Sequence, residues 1–244
     1  MIGILIGILL VVVLATLIVV GANRGMLSGL ASVFGANPTV TTGTTGTTGA
    51  SGLSSVPTAP GVSPTNTARP ASTVIYQSTL LTPAAEWEPD QNCFFASDGF
   101  HIKPNLACQS PVRGLSDVDV SVQMRQISGS PTDQNGIEVR RSGDPASLYE
   151  FDIDATGGWL FKKCIRSFDN CNTLDSGSDP AIHLGIGAVN TLEIRAVGSR
   201  FSLLTNGALI GEVSDASLSS GDVWLDTGGH AECVFTYFTA SRPS

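Results

Sequence analysis

Along residues 189–238 apolar side chains recur at alternate positions in a series of short runs. Leu192, Ile194 and Ala196 alternate with polar neighbours, the pattern of a strand with one face on a core. Phe201 and Leu203 resume it after Gly198-Ser199, and Leu209, Val213, Val223 and Leu225 carry it on. Asn206-Gly207 lies between two of these runs. A two-residue type I′ turn needs positive φ at both central positions, which Asn and Gly accept at least cost, so the dipeptide predicts a hairpin. The closing stretch, from Cys233, is dense in aromatic and β-branched residues. Five strands in roughly fifty residues predict an antiparallel sandwich or barrel.

The same period appears upstream. Residues 73–81 read as an opening strand and 98–103 as another, entered through Asp98-Gly99. Across 117–127, Val118, Val120, Val122 and Met124 point inward while Asp119, Ser121, Gln123 and Arg125 point outward. Residues 137–141 and 148–154 form the next pair, joined by a Ser-Gly-Asp-Pro turn, and Thr156-Gly157-Gly158 turns the chain into 159–163. About a dozen strands with short Gly-rich connections predict an all-β domain over 72–244, built of two packed antiparallel sheets. Trp87 and Trp159 are expected in its core.

Before residue 72 the chain changes character. Residues 1–22 carry no charged side chain and are mostly Ile, Leu and Val. Residues 2–20, as a helix, are long enough to cross a hydrocarbon core of ~30 Å, and they lack the polar face of a soluble core helix. The long apolar run favours an uncleaved transmembrane anchor. A cleaved signal peptide stays open, because Val20-Gly21-Ala22 offers small residues at a cleavage point, although a charged leading segment is absent. Arg24 alone does not fix the orientation. Residues 23–71 are rich in Thr, Gly, Ser and Pro, with Thr-Thr-Gly repeated over 41–49 and Pro57, Pro60, Pro64 and Pro70 after it. Such a tract lacks the apolar content to form a core and reads as a flexible linker.

Charge and cysteines narrow the setting. The chain has 21 acidic and 13 basic residues, and every acidic one lies at or beyond Glu86. A domain this acidic repels phosphate backbones, which excludes nucleic acid and suits cations or neutral partners such as sugars. Cys93 and Cys108 flank the 98–103 strand and Cys164 and Cys171 close a short loop, spacings that suit two local disulfides. The alternative, a zinc site, lacks C-x-x-C pairs and clustered histidines. Disulfides imply an oxidising, extracytoplasmic location, and leave Cys233 as a buried thiol.

Asn190-x-Leu192-x-Ile194-x-Ala196-x-Gly198, the strand ending in Asn206-Gly207, and the following Asp-x-x-Leu-x-x-Gly-x-Val-x-Leu resemble the concanavalin A-like jelly-roll superfamily. The laminin G-like modules and the domains named for 3-keto-disaccharide hydrolases are the groups it is most similar to. Asp98-Gly99-Phe100-His101-Ile102, the 136–140 segment and Tyr149-Glu150-Phe151-Asp152-Ile153 extend the resemblance over 72–240. Its motifs are turn glycines and core apolars, so it implies a two-sheet jelly roll and leaves function to the site residues.

Three pieces of chemistry then come forward. Period-two geometry puts the carboxylates of Glu150, Asp152 and Asp154 on one strand face, and a retaining glycosidase needs two carboxyls about 5–5.5 Å apart. Laminarinases and lichenases, which share the jelly roll, carry a Glu-x-Asp-x-Glu strand. Here the last acid is Asp154, one methylene shorter, and the aromatic residues usual around that motif are missing. These three are catalytic candidates against a plainer reading as a solvated strand face, and the laminin G-like resemblance sets this strand beside a non-catalytic one. Glu138 and Arg140 are expected on the outward face of the preceding strand, beside Glu150 and Asp152. They form either a cross-strand ion pair or a polar binding patch completed by Lys162 and Trp224, with the indole stacking on a sugar ring. Calcium is common in the superfamily, and Asp215, Asp222 and Asp226 are loop-end candidates for it, though no ligand-spaced motif is visible. No other cofactor is expected, and no nucleophile elbow, phosphate loop or dinucleotide fingerprint appears.

The expectation is a membrane-tethered β-sandwich displayed outside a bacterial cell, binding carbohydrate or a cell-surface polymer. Glycoside cleavage through the Glu150 strand, and a structural or sensor domain contacting protein, are the alternatives.

Overall fold

The computed structural model describes residues 72–143 and 146–243. The expected membrane segment at 1–22, the linker at 23–71, and Asp144 and Pro145 of the expected turn lie outside the described residues. Among the described residues no helix is long and apolar enough to cross a membrane.

Fourteen strands follow in order: β1 Ser72–Ser78, β2 Cys93–Ala96, β3 Gly99–Ile102, β4 Leu106–Gln109, β5 Val118–Ser128, β6 Asn135–Ser142, β7 Ser147–Ile153, β8 Gly158–Cys164, β9 Cys171–Ser178, β10 Asn190–Val197, β11 Arg200–Thr205, β12 Ala208–Ser214, β13 Asp222–Thr227 and β14 Glu232–Pro243. The one helical element among them is a short 3-10 turn, Ala85–Trp87. An eight-stranded sheet runs β12-β11-β10-β5-β14-β3-β2, with β1 added to β14. A six-stranded sheet runs β4-β13-β6-β7-β8-β9. The named strand pairs are antiparallel throughout, so the domain is a two-sheet jelly-roll sandwich.

Alternation in the sequence builds the core directly. Val118, Val120, Val122 and Met124 of β5 point inward, as do Leu192, Ile194 and Ala196 of β10, and they meet Ile137, Phe151, Phe161 and Leu225 from the other sheet in one buried cluster. Each large apolar side chain so buried contributes about 1.5–3 kcal/mol. Trp87 and Trp159 join this core. The β11–β12 connection is the expected hairpin turn, with φ of 52° at Asn206 and 81° at Gly207.

Both expected disulfides are present, Cys93–Cys108 and Cys164–Cys171, and Cys233 is a buried free thiol. The first ties β2 of the larger sheet to β4 of the smaller, so it staples the sandwich rather than a single hairpin. The second joins opposite residues of β8 and β9 and closes the loop 165–170.

The expected outward placement of Arg140 is overturned. Strand β6 carries one extra residue relative to β7 between Val139 and Ser142, and Arg140 adopts a φ of 53° there. This bulge turns its side chain inward, where it is 2 % exposed. Its guanidinium donates to the carbonyl oxygens of Ser116 at 3.0 Å, Leu218 at 2.9 Å and Gly198 at 2.6 Å, and lies 5.0 Å from the ring centroid of Phe201. Arg140 is a clamp on three connecting segments. Truncation to alanine leaves three backbone acceptors without this donor, so Arg140→Ala is expected to lower stability by about 2–4 kcal/mol in urea unfolding. A loss below about 0.5 kcal/mol, the range of an ordinary surface substitution, would show that the clamp carries no load.

Candidate functional site

The outer face of the six-stranded sheet takes its residues from register. Trp224 of β13 pairs with Glu138 of β6, Glu138 with Glu150 of β7, and Glu150 with Lys162 of β8. These four form a row across the sheet. One step along, Asp226, Gly136 and Asp152 form a second row on the same strands. A Cβ at Gly136 would lie 1.9 Å from the Phe151 carbonyl oxygen and 2.8 Å from Asp152 Oδ1, so only glycine leaves the space between the two aspartates.

A cleft of about 510 Å³ opens over these rows, with Glu138, Glu150, Lys162 and Asp226 at its floor and Arg141 and Phe168 in its walls. The bulge at Arg140 puts the next residue on this face: Arg141 donates to Glu138 Oε2 at 2.5 Å. Its guanidinium carbon stands 3.9 Å from the ring centroid of Trp224 and 5.6 Å from that of Phe168. One face of the Trp224 ring, expected to meet a sugar, is thus taken by Arg141. The open aromatic ring is Phe168, which is 57 % exposed and is carried by the disulfide-closed loop.

The floor is crowded with carboxyl groups. Oxygens of Glu150, Asp152 and Asp226 lie within 4.8 Å of one another. Lys162 Nζ is 2.7 Å from Glu150 Oε1 and 3.5 Å from Asp152 Oδ2. Neither oxygen of Asp152, nor Oδ1 of Asp226, accepts a hydrogen bond. Burial pushes the Glu138 carboxyl up to about 7, against the pull of Arg141 and with the help of the Glu150 charge. Burial, followed by the neighbouring carboxylates, holds Asp152 and Asp226 well above the usual carboxylate range. For Lys162 burial disfavours the ammonium, but Asp152 and Glu150 outweigh it and raise its pKa.

Of the residues singled out by sequence, the structure brings together Glu138, Glu150, Asp152, Lys162, Trp224 and Asp226. Four others lie elsewhere. Arg140 is the buried clamp described above. Asp154 lies beyond the end of β7, where Oδ1 accepts from Thr156 N at 2.8 Å, Thr156 Oγ1 at 2.6 Å and Gly158 N at 3.0 Å. It is occupied in holding the β7–β8 turn and does not complete a three-carboxylate strand. Asp215 accepts from Tyr149 Oη at 2.5 Å and Lys163 Nζ at 2.6 Å; these bonds outweigh burial and keep its carboxyl well below the usual range. Asp222 accepts from Gln109 Nε2 at 2.6 Å and Gly114 N at 2.9 Å. Neither aspartate shares the Asp226 cluster. Arg141 and Phe168 are the site residues that alternation did not mark, one displaced by a bulge and the other in an aperiodic loop.

No protein-family model matches this chain, and no curated protein matches it in sequence. Solved structures do match in fold. The carbohydrate-binding module CBM66 from Bacillus subtilis superposes with a TM-score of 0.52 at 18% identity, over 61% of this chain and 89% of that one. A Bacillus subtilis protein of unknown function with a galectin-like fold gives 0.56 at 11% identity, over 70% and 98%. The catalytic domain of an endo-1,3-beta-glucanase (laminarinase) from Thermotoga petrophila RKU-1 gives 0.55 at 7% identity, over 72% and 99%. The domain therefore has the concanavalin A-like jelly-roll fold that the sequence motifs resemble.

The raised Glu138 pKa has a measurable consequence. An unfolded glutamate releases its proton near 4.5, whereas folded Glu138 keeps it to about 7. Between these values the folded chain binds more protons than the unfolded one, so stability falls as pH rises through the window. Thermal unfolding followed from about pH 5 to pH 8 should show a decline of several degrees, and Glu138→Gln, neutral throughout, should make it shallower, the raised Asp152 and Asp226 accounting for the remainder. Equal slopes in the two proteins would remove Glu138 as the source.

Proposed function

We propose that this domain is a carbohydrate-binding module whose saccharide lies in the cleft over the six-stranded sheet. The observation that carries this reading is the row Trp224–Glu138–Glu150–Lys162 with Arg141 and Phe168 above it. Neighbouring acceptors and donors on one rigid sheet suit the vicinal hydroxyls of a sugar, and the exposed Phe168 ring suits its apolar face. The fold likeness to CBM66 supports the reading without naming the sugar.

A second reading, glycoside hydrolysis, is favoured by one observation. Glu138 and Glu150 face each other across β6 and β7, the first inclined to hold a proton and the second beside the Lys162 ammonium. That is the division of labour of a general acid and a nucleophile. The two disulfides are the mark of an oxidising, extracellular setting. The setting we infer is the cell surface, with residues 2–20 as a membrane anchor and 23–71 as the tether; resistance of the chain to alkaline extraction from membranes tests the anchor.

The purified chain, screened on a glycan array and by polysaccharide pull-down, should retain a defined class of saccharide. Arg141→Ala and Phe168→Ala should each weaken retention at least about tenfold, a loss of about 1.4 kcal/mol, and Phe168→Ala, an exposed ring, should do so with little change in melting temperature. The same samples should be assayed for released sugar, which Glu150→Gln and Glu138→Gln abolish if the second reading is correct. Neither retention nor release across a broad panel would overturn both readings.

A further inference from the structure

At the floor of the cleft, Glu150 of the saccharide-facing row meets two more deeply buried carboxyl groups, Asp152 and Asp226. Glu150 and Asp152 come from β7 and Asp226 from β13, on either side of β6, with one oxygen of each within 4.8 Å of the others. Gly136 keeps the space between the aspartates clear. Asp152 is 0 % exposed and Asp226 6 %, yet both oxygens of Asp152 and Oδ1 of Asp226 lack a hydrogen-bond donor. Buried carboxylates without donors are costly, and such groups in native proteins are paired or coordinate a metal.

The local charges do not balance. Glu138, Glu150, Asp152 and Asp226 face Arg141 and Lys162. Arg141 is committed to Glu138, and Lys162 Nζ sits on Glu150, with Asp152 at the longer distance of 3.5 Å. The four carboxyl groups thus outnumber the two cations by two, and a single divalent ion would match the charge they carry once ionised. Carboxylate oxygens alone, without nitrogen or sulfur, are the donor set of hard cations rather than of zinc or copper. Glu150 and Asp226 also line the cleft, so water can reach the remaining coordination positions.

The geometry points to a divalent-cation site of the Ca²⁺ or Mg²⁺ type formed by Glu150, Asp152 and Asp226 at the floor of the cleft. The ion replaces the missing donors of the buried aspartates and fixes β7 and β13 against β6. It binds whether or not the cleft accepts a sugar, so the site stands or falls separately from the saccharide reading.

The full chain, stripped with EDTA, is titrated with CaCl₂ or MgCl₂ alone at one neutral pH, followed by calorimetry and by thermal unfolding. One ion per chain is expected from the calorimetry, with a melting temperature that starts to rise near the Kd and then climbs with the logarithm of free ion. Asp226→Asn and Glu150→Gln, each nearly isosteric, should weaken binding at least tenfold; Glu212→Gln, an exposed acid of β12, should leave it unchanged. Having two cluster variants guards against one that fails to fold, and the wild-type stoichiometry is decisive without either. Absence of saturable binding by about 10 mM, well beyond the ~1 mM of weak extracellular calcium modules, overturns the site. So does weak uptake of several ions that Glu212→Gln reduces as much as Asp226→Asn does, since that is diffuse attraction to an acidic surface.

Discussion

The inward turn of Arg140 decides more of this structure than any other single contact. A residue with a Cβ is held at positive φ in the middle of a strand, at a steric cost that the surroundings must offset. The offset comes from three charge-assisted hydrogen bonds to carbonyls in segments far apart in sequence, near residues 116, 198 and 218. Those segments lead into β5, join β10 to β11 and lead into β13, so one guanidinium fastens turns of the large sheet to a strand of the small one. The same bulge shifts β6 by one position and delivers Arg141 to the opposite face. Clamp and cleft are two results of one extra residue.

The cleft floor has the opposite character. Its carboxyl groups are placed by strand register on a rigid sheet, and they lie where ordinary stability would favour apolar residues or fewer charges. Burial keeps Glu138, Asp152 and Asp226 inclined to stay protonated, while Lys162 and Arg141 hold part of the charge. Such tension in a concave place is what binding and catalytic sites use, and it supports the proposed role of the cleft. Phe168 adds the apolar component from outside the sheet, on a loop whose ends are locked by Cys164 and Cys171.

The sandwich was legible because burial on one face leaves a period of two, which β5 and β10 display without interruption. The Asn206-Gly207 turn and both cysteine pairs were equally plain, since each rests on local chemistry. The shorter strands β2 and β4, and β9 with its run of polar residues, carry no such period and take their pairing from neighbours. Parity also located Glu138, Glu150, Asp152 and Lys162 on one face. It failed at Arg140, where a bulge without a glycine gives no local signal, and at Asp154, where the strand has already ended and a turn claims the carboxylate. Asp215, Asp222 and Asp226 look alike in sequence; only the pairing of β13 with β6 separates the one in the cluster from the two that hold loops.

Strand β1 pairs with the far end of β14, placing Ser72 opposite Pro243. Residues opposite each other in an antiparallel pair lie about 5 Å apart, so the two ends of the sandwich nearly touch. They do so on the eight-stranded sheet, whereas the cleft belongs to the six-stranded one. A unit of this kind is a cassette: it can be spliced into a loop of another protein, or cut and rejoined at a new point, without disturbing the cleft on its other sheet.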